Sequence, residues 1–387
     1  MSSKEINPHI ANLSDKDGTL TFTLTGVTHY FTNALRRAIL SDIPCYAFIT
    51  EPYEKNKATI SSNIADMNVE IIKQRLSSIP IIITDLDFPY QNYMVECEVE
   101  NRTDTIKYVT TADFKIKNTI TGKYLSDIDC RNIFPPQSIP FAAASDVTAG
   151  YHLFVALKPQ LADSNIPGEF IKMHCPISKV KSGDDGKFAV CRCGFGNTRV
   201  TGAEYDAALA TAVKHMKTEN PDATKEQLDI MVKDWEILAS KRHFIPNSYD
   251  FSIYSFGIYT NRELLALGCN AIITQLAVLK QSSDTAITIA SSDTTIQNGF
   301  DVFIHTSESA PIDLWAIGYI ITDVMRTQFI DKTINYIGCN KFHPEDEHIV
   351  IRIGYIEPVE PGTVIQHIME CANVCGEIFK EIGAQIT

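Results

Sequence analysis

Residues 30–44 read YFTNALRRAILSDIP, and the reading of the whole chain starts from them. Phe31, Leu35, Ala38 and Ile39 recur at the spacing of one helical face, Thr32 or Asn33 is placed to cap the start, and Pro44 stops the helix. The polar face of this short amphipathic helix carries Arg36 and Arg37 side by side, with Asp42 near its end. Each guanidinium offers a planar fork of donors suited to the carboxylates of a partner. A plain solvated helix face is the alternative, because adjacent surface arginines are ordinary.

With 44% hydrophobic and 21% charged residues, the 387-residue chain has the material for two or three domain cores. Its 47 acidic against 34 basic side chains leave a net charge of −13, which repels a phosphate backbone. No run of Lys and Arg stands out, so DNA is expected to be met only indirectly. The ten cysteines are scattered, and the start lacks a charged-then-apolar signal segment, so reduced thiols in a cytosolic or nuclear setting are expected. The longest apolar runs, such as Leu314 to Ile321, fall far short of the roughly 20 residues that cross a bilayer. A soluble protein without membrane contact is expected.

The run Asn33-Ala34-Leu35-Arg36-Arg37, followed by an apolar turn, Ser41 and Pro44, resembles the signature helix of the alpha-like assembly subunits of multisubunit RNA polymerases. That family comprises bacterial alpha, its archaeal D-type counterpart and the eukaryotic third-largest subunit. The resemblance implies that Asn33, Leu35, Arg36 and Arg37 contact a large polymerase subunit.

Before this helix, Thr19 to Thr25 alternates, with Leu20, Phe22 and Leu24 on one side, as a half-buried strand does. After it, residues 50 to 164 change character. Val69, Ile72, Leu76 and Ile79 have helical spacing before Pro80, and strand-like runs follow at Tyr93 to Val99, Ile106 to Val109 and Phe114 to Ile116. This reads as an inserted, mainly β domain. Its segment Ile71 to Ile81 resembles the piece that opens the inserted domain of the same family, with Ser77 in place of the usual Gly, and the resemblance adds Arg75 to the partner contacts.

From 165 to 280 the first module is expected to resume. Pro167 to Met173 reads as a turn feeding a strand, with Phe188 to Cys193 as its neighbour. Capping-box patterns at Thr201 and Thr224 predict helices over 203–217 and 225–243, an elaboration with no assigned role. Phe251 to Tyr259 is strand-like. Thr260 then opens a long helix with Leu265, Gly268, Cys269, Ile272, Leu276 and Leu279 on one stripe.

Residues 281–298 are rich in Ser, Thr and Asp and read as a linker with a weak strand at Ala286 to Ala290. Beyond it come a strand near Phe300 to His305, a turn at Ser309 to Pro311, a helix from Ile312, a strand at Ile349 to Ile353 and a helix from Thr363 capped by Thr363 and Gln366. This last helix aligns Ile368, Cys375 and Phe379. His343-Pro344 and the following strand to Ile353 are similar to the small polymerase assembly protein, the archaeal L-type subunit and its eukaryotic eleventh-subunit counterpart. Ile312 to Gly318 departs from that pattern.

The expected fold is therefore α+β. Two alpha-subunit-type dimerisation modules, 1–49 with 165–280 and 299–387, pair within one chain through Leu265, Ile272, Leu276, Ile368, Cys375 and Phe379. The resemblance implies a non-catalytic assembly platform whose partners are the two large polymerase subunits and other small ones. Such fusions resemble those of large cytoplasmic DNA viruses, which would place the protein in host cytoplasm and virion; otherwise the nucleus is expected. No dinucleotide fingerprint, phosphate loop, Gly-x-Ser-x-Gly or magnesium-binding acid cluster occurs, and neither catalytic residues nor a cofactor are expected. The alternative is a metal-dependent or thiol enzyme using Cys191, Cys193 and His174, ligand types suited to zinc but without a CxxC pair.

Overall fold

A computed structural model describes residues 6–137, 150–160, 168–307 and 311–386. Ser309 and Ala310 of the turn expected at Ser309 to Pro311, and the Pro167 end of the turn before Phe170, lie outside the described residues.

In chain order the elements begin with β1 (His9–Lys16), β2 (Thr19–Thr25), α1 (His29–Ser41), β3 (Pro44–Ala47), β4 (Thr59–Ser62) and α2 (Val69–Ser77). They continue with β5 (Tyr93–Glu100), β6 (Lys107–Thr110), β7 (Lys115–Asn118), α3 (Asp127–Ile133), β8 (Leu153–Leu157), β9 (Phe170–Pro176) and β10 (Ser178–Lys181). Next are β11 (Cys191–Arg199), α4 (Ala203–Glu219), α5 (Lys225–Ile237), β12 (Phe244–Ser255) and α6 (Asn261–Gln281). The last are α7 (Ser283–Ala286), β13 (Ile287–Ser291), β14 (Gly299–His305), α8 (Leu314–Phe329), β15 (Ile334–Asn340), β16 (His348–Tyr355) and α9 (Pro361–Ala384). Every ladder between these strands is antiparallel, so the mixture of helix and sheet is α+β in kind.

The chain forms two compact units. The first takes the described residues of Met1–Leu40, Cys191–Ser255 and Thr260–Thr387, and the second those of Ser41–Val190 and Phe256–Tyr259. In the first unit one sheet has the order β1-β2-β12-β11 and another β13-β14-β16-β15. Leu20, Phe22 and Leu24 of β2 face the core, as their alternation requires. Helix α6 lies on β2 and β12, α8 on β14, β15 and β16, and α9 against both helices. α6 and α9 run antiparallel: Arg262 Nη1 donates to the Ile386 carbonyl at 3.0 Å, and Lys280 Nζ to Asn373 Oδ1 at 2.8 Å.

By length and mean hydropathy, 1.4 over its best window, α6 passes as a membrane span. Its Leu264, Leu265, Ile272, Leu276 and Leu279 are instead buried in the protein core, which accounts for that hydropathy. Gly268 lies where α1 crosses. A Cβ there would overlap the wholly buried Ile39 side chain, so only glycine allows the two backbones this close.

The second unit holds the sheet β4-β9-β5-β7 and the pairs β6-β8 and β10-β3. Its core is aromatic, with Phe114 edge-on to Phe134 at 5.5 Å and to Phe154 at 5.4 Å. The buried Glu169 carboxylate accepts from the Ala65 and Lys158 amides at 2.9 and 2.8 Å, which satisfies its charge.

Several expectations change. Strand β9 pairs with β4 and β5 in the second unit, and β11, expected beside it, pairs with β12 in the first. That compact unit therefore runs from 41 to 190 rather than 50 to 164. Helix α1 opens at His29, and Thr32 sits in its first turn with Oγ1 donating to the His29 carbonyl at 2.9 Å. Gly202, not Thr201, stands at the N-cap of α4, α5 gives way to a 3-10 turn at Ala239–Arg242, and Glu360 precedes Pro361 at the start of α9. Much of the linker is structured, because Ile287 is buried as β13 pairs with β14.

Replacing Gly268 with Val should lower stability by about 1–3 kcal/mol, the usual cost of overpacking, despite the better helix propensity of Val. Thermal or urea denaturation of the full chain reads this directly.

Candidate functional site

The inward face of α1 is fixed by packing. Phe31, Leu35, Ala38 and Ile39 are buried, and Phe31 meets Phe379 of α9 with ring centroids 5.7 Å apart. Leu35, expected among the partner contacts, is thus a core residue: its apolar side chain is worth more inside than at a wet surface.

The two arginines have different fates. Arg37 makes a two-pronged pair with Asp313, Nε to Oδ2 at 2.7 Å and Nη2 to Oδ1 at 3.0 Å. Asp313 also caps α8, accepting from the amides of Trp315 and Ala316 at 3.1 and 3.3 Å, while its own amide donates to Gln275 Oε1 of α6 at 2.7 Å. One residue therefore ties α1, α6 and α8 together. Arg37, expected to grip a partner, is already committed inside the chain.

Arg36 is half-buried and donates only to a neutral amide oxygen, Oδ1 of Asn33, at 2.9 and 3.3 Å. Among the described residues no carboxylate lies within ion-pair reach of it. The exposed Asn33 holds the guanidinium in place.

Beside these residues is a cleft of about 490 Å³ lined by His29, Tyr30, Asn33 and Arg37 of α1, Phe195 of β11, and Trp315, Ala316 and Tyr319 of α8. Its rings are aligned. Tyr30 stacks on Tyr319 at 5.7 Å with planes 6° apart, and Tyr319 on Trp315 at 5.7 Å and 3°. Beneath it the Thr28 hydroxyl donates to Asp323 Oδ2 at 2.6 Å, and burial holds that carboxyl above the usual carboxylate range. Sequence reading missed the cleft because α1 and α8 lie nearly 300 residues apart. The one available signal was Asp313, an N-cap residue ahead of an apolar helix.

The remaining candidates fall elsewhere. Arg75 is exposed on α2 and spends Nη1 on the Phe154 carbonyl at 3.0 Å, bracing α2 to β8. Leu265, Ile272 and Leu276 of α6, and Ile368, Cys375 and Phe379 of α9, are all buried on the two helices that pack together.

The cysteine and histidine trio is not assembled as a site. His174 lies on β9 of the second unit, opposite Glu96, while Cys191 and Cys193 lie on β11 of the first. Burial pushes the Cys191 thiol up to about 11 and the Cys193 thiol up to about 12, away from the thiolate that a nucleophile or a zinc ligand needs. Among the described residues no group of three His, Cys, Asp or Glu side chains is placed to hold a metal ion.

Two variants probe this network. Asp313→Ser keeps a capping oxygen and loses the ion pair, at a cost of about 1 kcal/mol, since the Arg37 side chain is one-third exposed and screened. Asp313→Ala loses both and should cost about 2 kcal/mol in denaturant melts. Because the folded chain holds the Asp323 proton more tightly than the unfolded chain, that residue's contribution to stability falls as pH rises through and above the ordinary carboxylate range. Asp323→Asn should therefore raise Tm near neutral pH and change it little below about pH 4.

The described geometry is an all-helical seam between two antiparallel sheets, with a surface helix carrying one arginine that has no carboxylate partner among the described residues. The model of the RNA polymerase Rpb3/Rpb11 dimerisation domain matches residues 21–276, more than half of the chain. No curated protein matches it. The matched span begins in β2, takes in α1 and runs through most of α6, the elements that build one side of the seam. The chain belongs to the RNA polymerase Rpb3/Rpb11 dimerisation-domain family, a class of non-catalytic polymerase subunits.

Proposed function

We propose that this protein is the architectural subunit on which the two large catalytic subunits of a DNA-directed RNA polymerase assemble, with two dimerisation modules joined in one chain. Residues 1–40 and 191–280 form the alpha-like module, with 41–190 as its insert, and 299–387 form the small-subunit-like module. The antiparallel packing of α6 on α9 supports this pairing, since each helix carries an apolar stripe that cannot remain wet. A source among the large cytoplasmic DNA viruses, with host cytoplasm and virion as its locations, rests on the likeness of the fused arrangement alone.

The observation that carries the docking role is Arg36: a guanidinium with no carboxylate partner among the described residues, held by Asn33 of the aromatic cleft, on the helix that resembles the family signature. A carboxylate of a large subunit would gain a charge-assisted fork there, and an apolar side chain beside it would enter the cleft.

In the full chain co-expressed with the large polymerase subunits, Arg36→Glu should abolish co-purification while leaving Tm unchanged, because a reversed charge at a desolvated contact costs several kcal/mol. Normal incorporation of this variant would overturn the docking role. Arg37→Glu should instead lower Tm, because it opposes Asp313. The joined-module arrangement is tested by a protease site placed at Ser282, between α6 and α7. The cut halves should stay together, and Ile272→Asp, which buries a charge in the seam, should part them. Halves that separate without that substitution, each folded and monomeric, would show two independent domains.

A further inference from the structure

We propose that the base of the α4–α5 hairpin, where α5 runs into β12, is a docking surface for an acidic segment of another protein, anchored by apolar side chains. The hairpin buries little of itself: α4 has no buried residue and α5 has only Trp235. Trp235 is the fastener, with its ring 5.8 Å from Tyr205 at the start of α4 and 5.6 Å from His243 just before β12. With that ring turned inward, the other apolar groups are left outside. Ile237 is 59% exposed, Leu238 68%, Phe244 44% and Ile245 40%. A single exposed leucine is ordinary, but this concentration within residues 237–245 is the kind of patch that marks a protein contact.

Charge selects the partner. Lys241 and Arg242 are exposed between the two apolar pairs, and Arg199, also exposed, stands opposite Phe244 in the β11–β12 ladder. Asp234 and Glu236 lie just before them on α5 but do not pair with them. Among the described residues no carboxylate is within ion-pair reach of any of these three bases. In a chain of net charge −13 they form a local exception, complementary to carboxylates. A nucleic acid fits less well, because three of the four exposed apolar side chains, Ile237, Leu238 and Ile245, offer no ring on which a base could stack. A protein segment with carboxylates around one or two apolar anchors satisfies both halves of the patch. Neither Arg36 nor the helical seam enters this inference, so it stands or falls separately from the assembly role.

The test uses the full chain and a fluorescein-labelled synthetic peptide, an amphipathic helix of Glu and Asp with Leu and Phe along one face, read by anisotropy. The same peptide with Lys for its acids, an oligothymidylate and phosphatidylserine vesicles serve as competing probes. Saturable binding of the acidic peptide is expected, weakening as salt is raised and falling about tenfold in Lys241→Glu/Arg242→Glu and in Leu238→Ser. Lys241→Gln/Arg242→Gln gives the same reading at lower amplitude should the charge reversal disturb the fold. The proposal is overturned by absence of binding, by equal binding of the lysine peptide, by preference for the oligothymidylate or the vesicles, or by an affinity that none of these variants moves.

Discussion

Two long helices with apolar stripes cannot both remain in water, and most of the first unit follows from that. Burying a Leu, Ile or Phe side chain is worth about 1.5–3 kcal/mol, and α6 and α9 bury a row of them against each other and against α1. The sheets serve as backing: α6 rests on β2 and β12, α8 on β14 and β16. Gly268 sets how near α1 comes to α6, and Asp313, whose amide is held by Gln275 of α6, pairs with Arg37 of α1.

The contrast between Arg36 and Arg37 shows how little adjacency says about role. One side chain meets a carboxylate that is simultaneously a helix cap, so its charge is used for internal cohesion. Among the described residues its neighbour meets only an amide. That amide belongs to Asn33, which lines the cleft with the aligned rings of Tyr30, Tyr319 and Trp315, so charge and apolar surface are offered on one helix.

The cysteines lead to a similar conclusion about chemistry. Cys269, Cys371 and Cys375 are buried in the helical seam, and burial above all raises their thiols far from reactivity. They behave as small hydrophobes, as buried cysteines commonly do. The candidate surfaces, α1 with its cleft and the base of the α4–α5 hairpin, offer shape and charge.

Local pattern was enough to read the α1 stripe, the alternation of β2, the capping box of α6 and the apolar faces of α6 and α9, because each depends on side chains within a turn or two of one another. It was also enough to single out Arg36, Arg37 and the six seam residues. It did not reveal that β9 joins β4 and β5, that Arg37 is held by Asp313, or that α8 completes a cleft with α1. Those outcomes depend on pairings across tens to hundreds of residues, where periodicity carries no information. Only the tertiary fold determines which charge finds a partner and which is left facing outward.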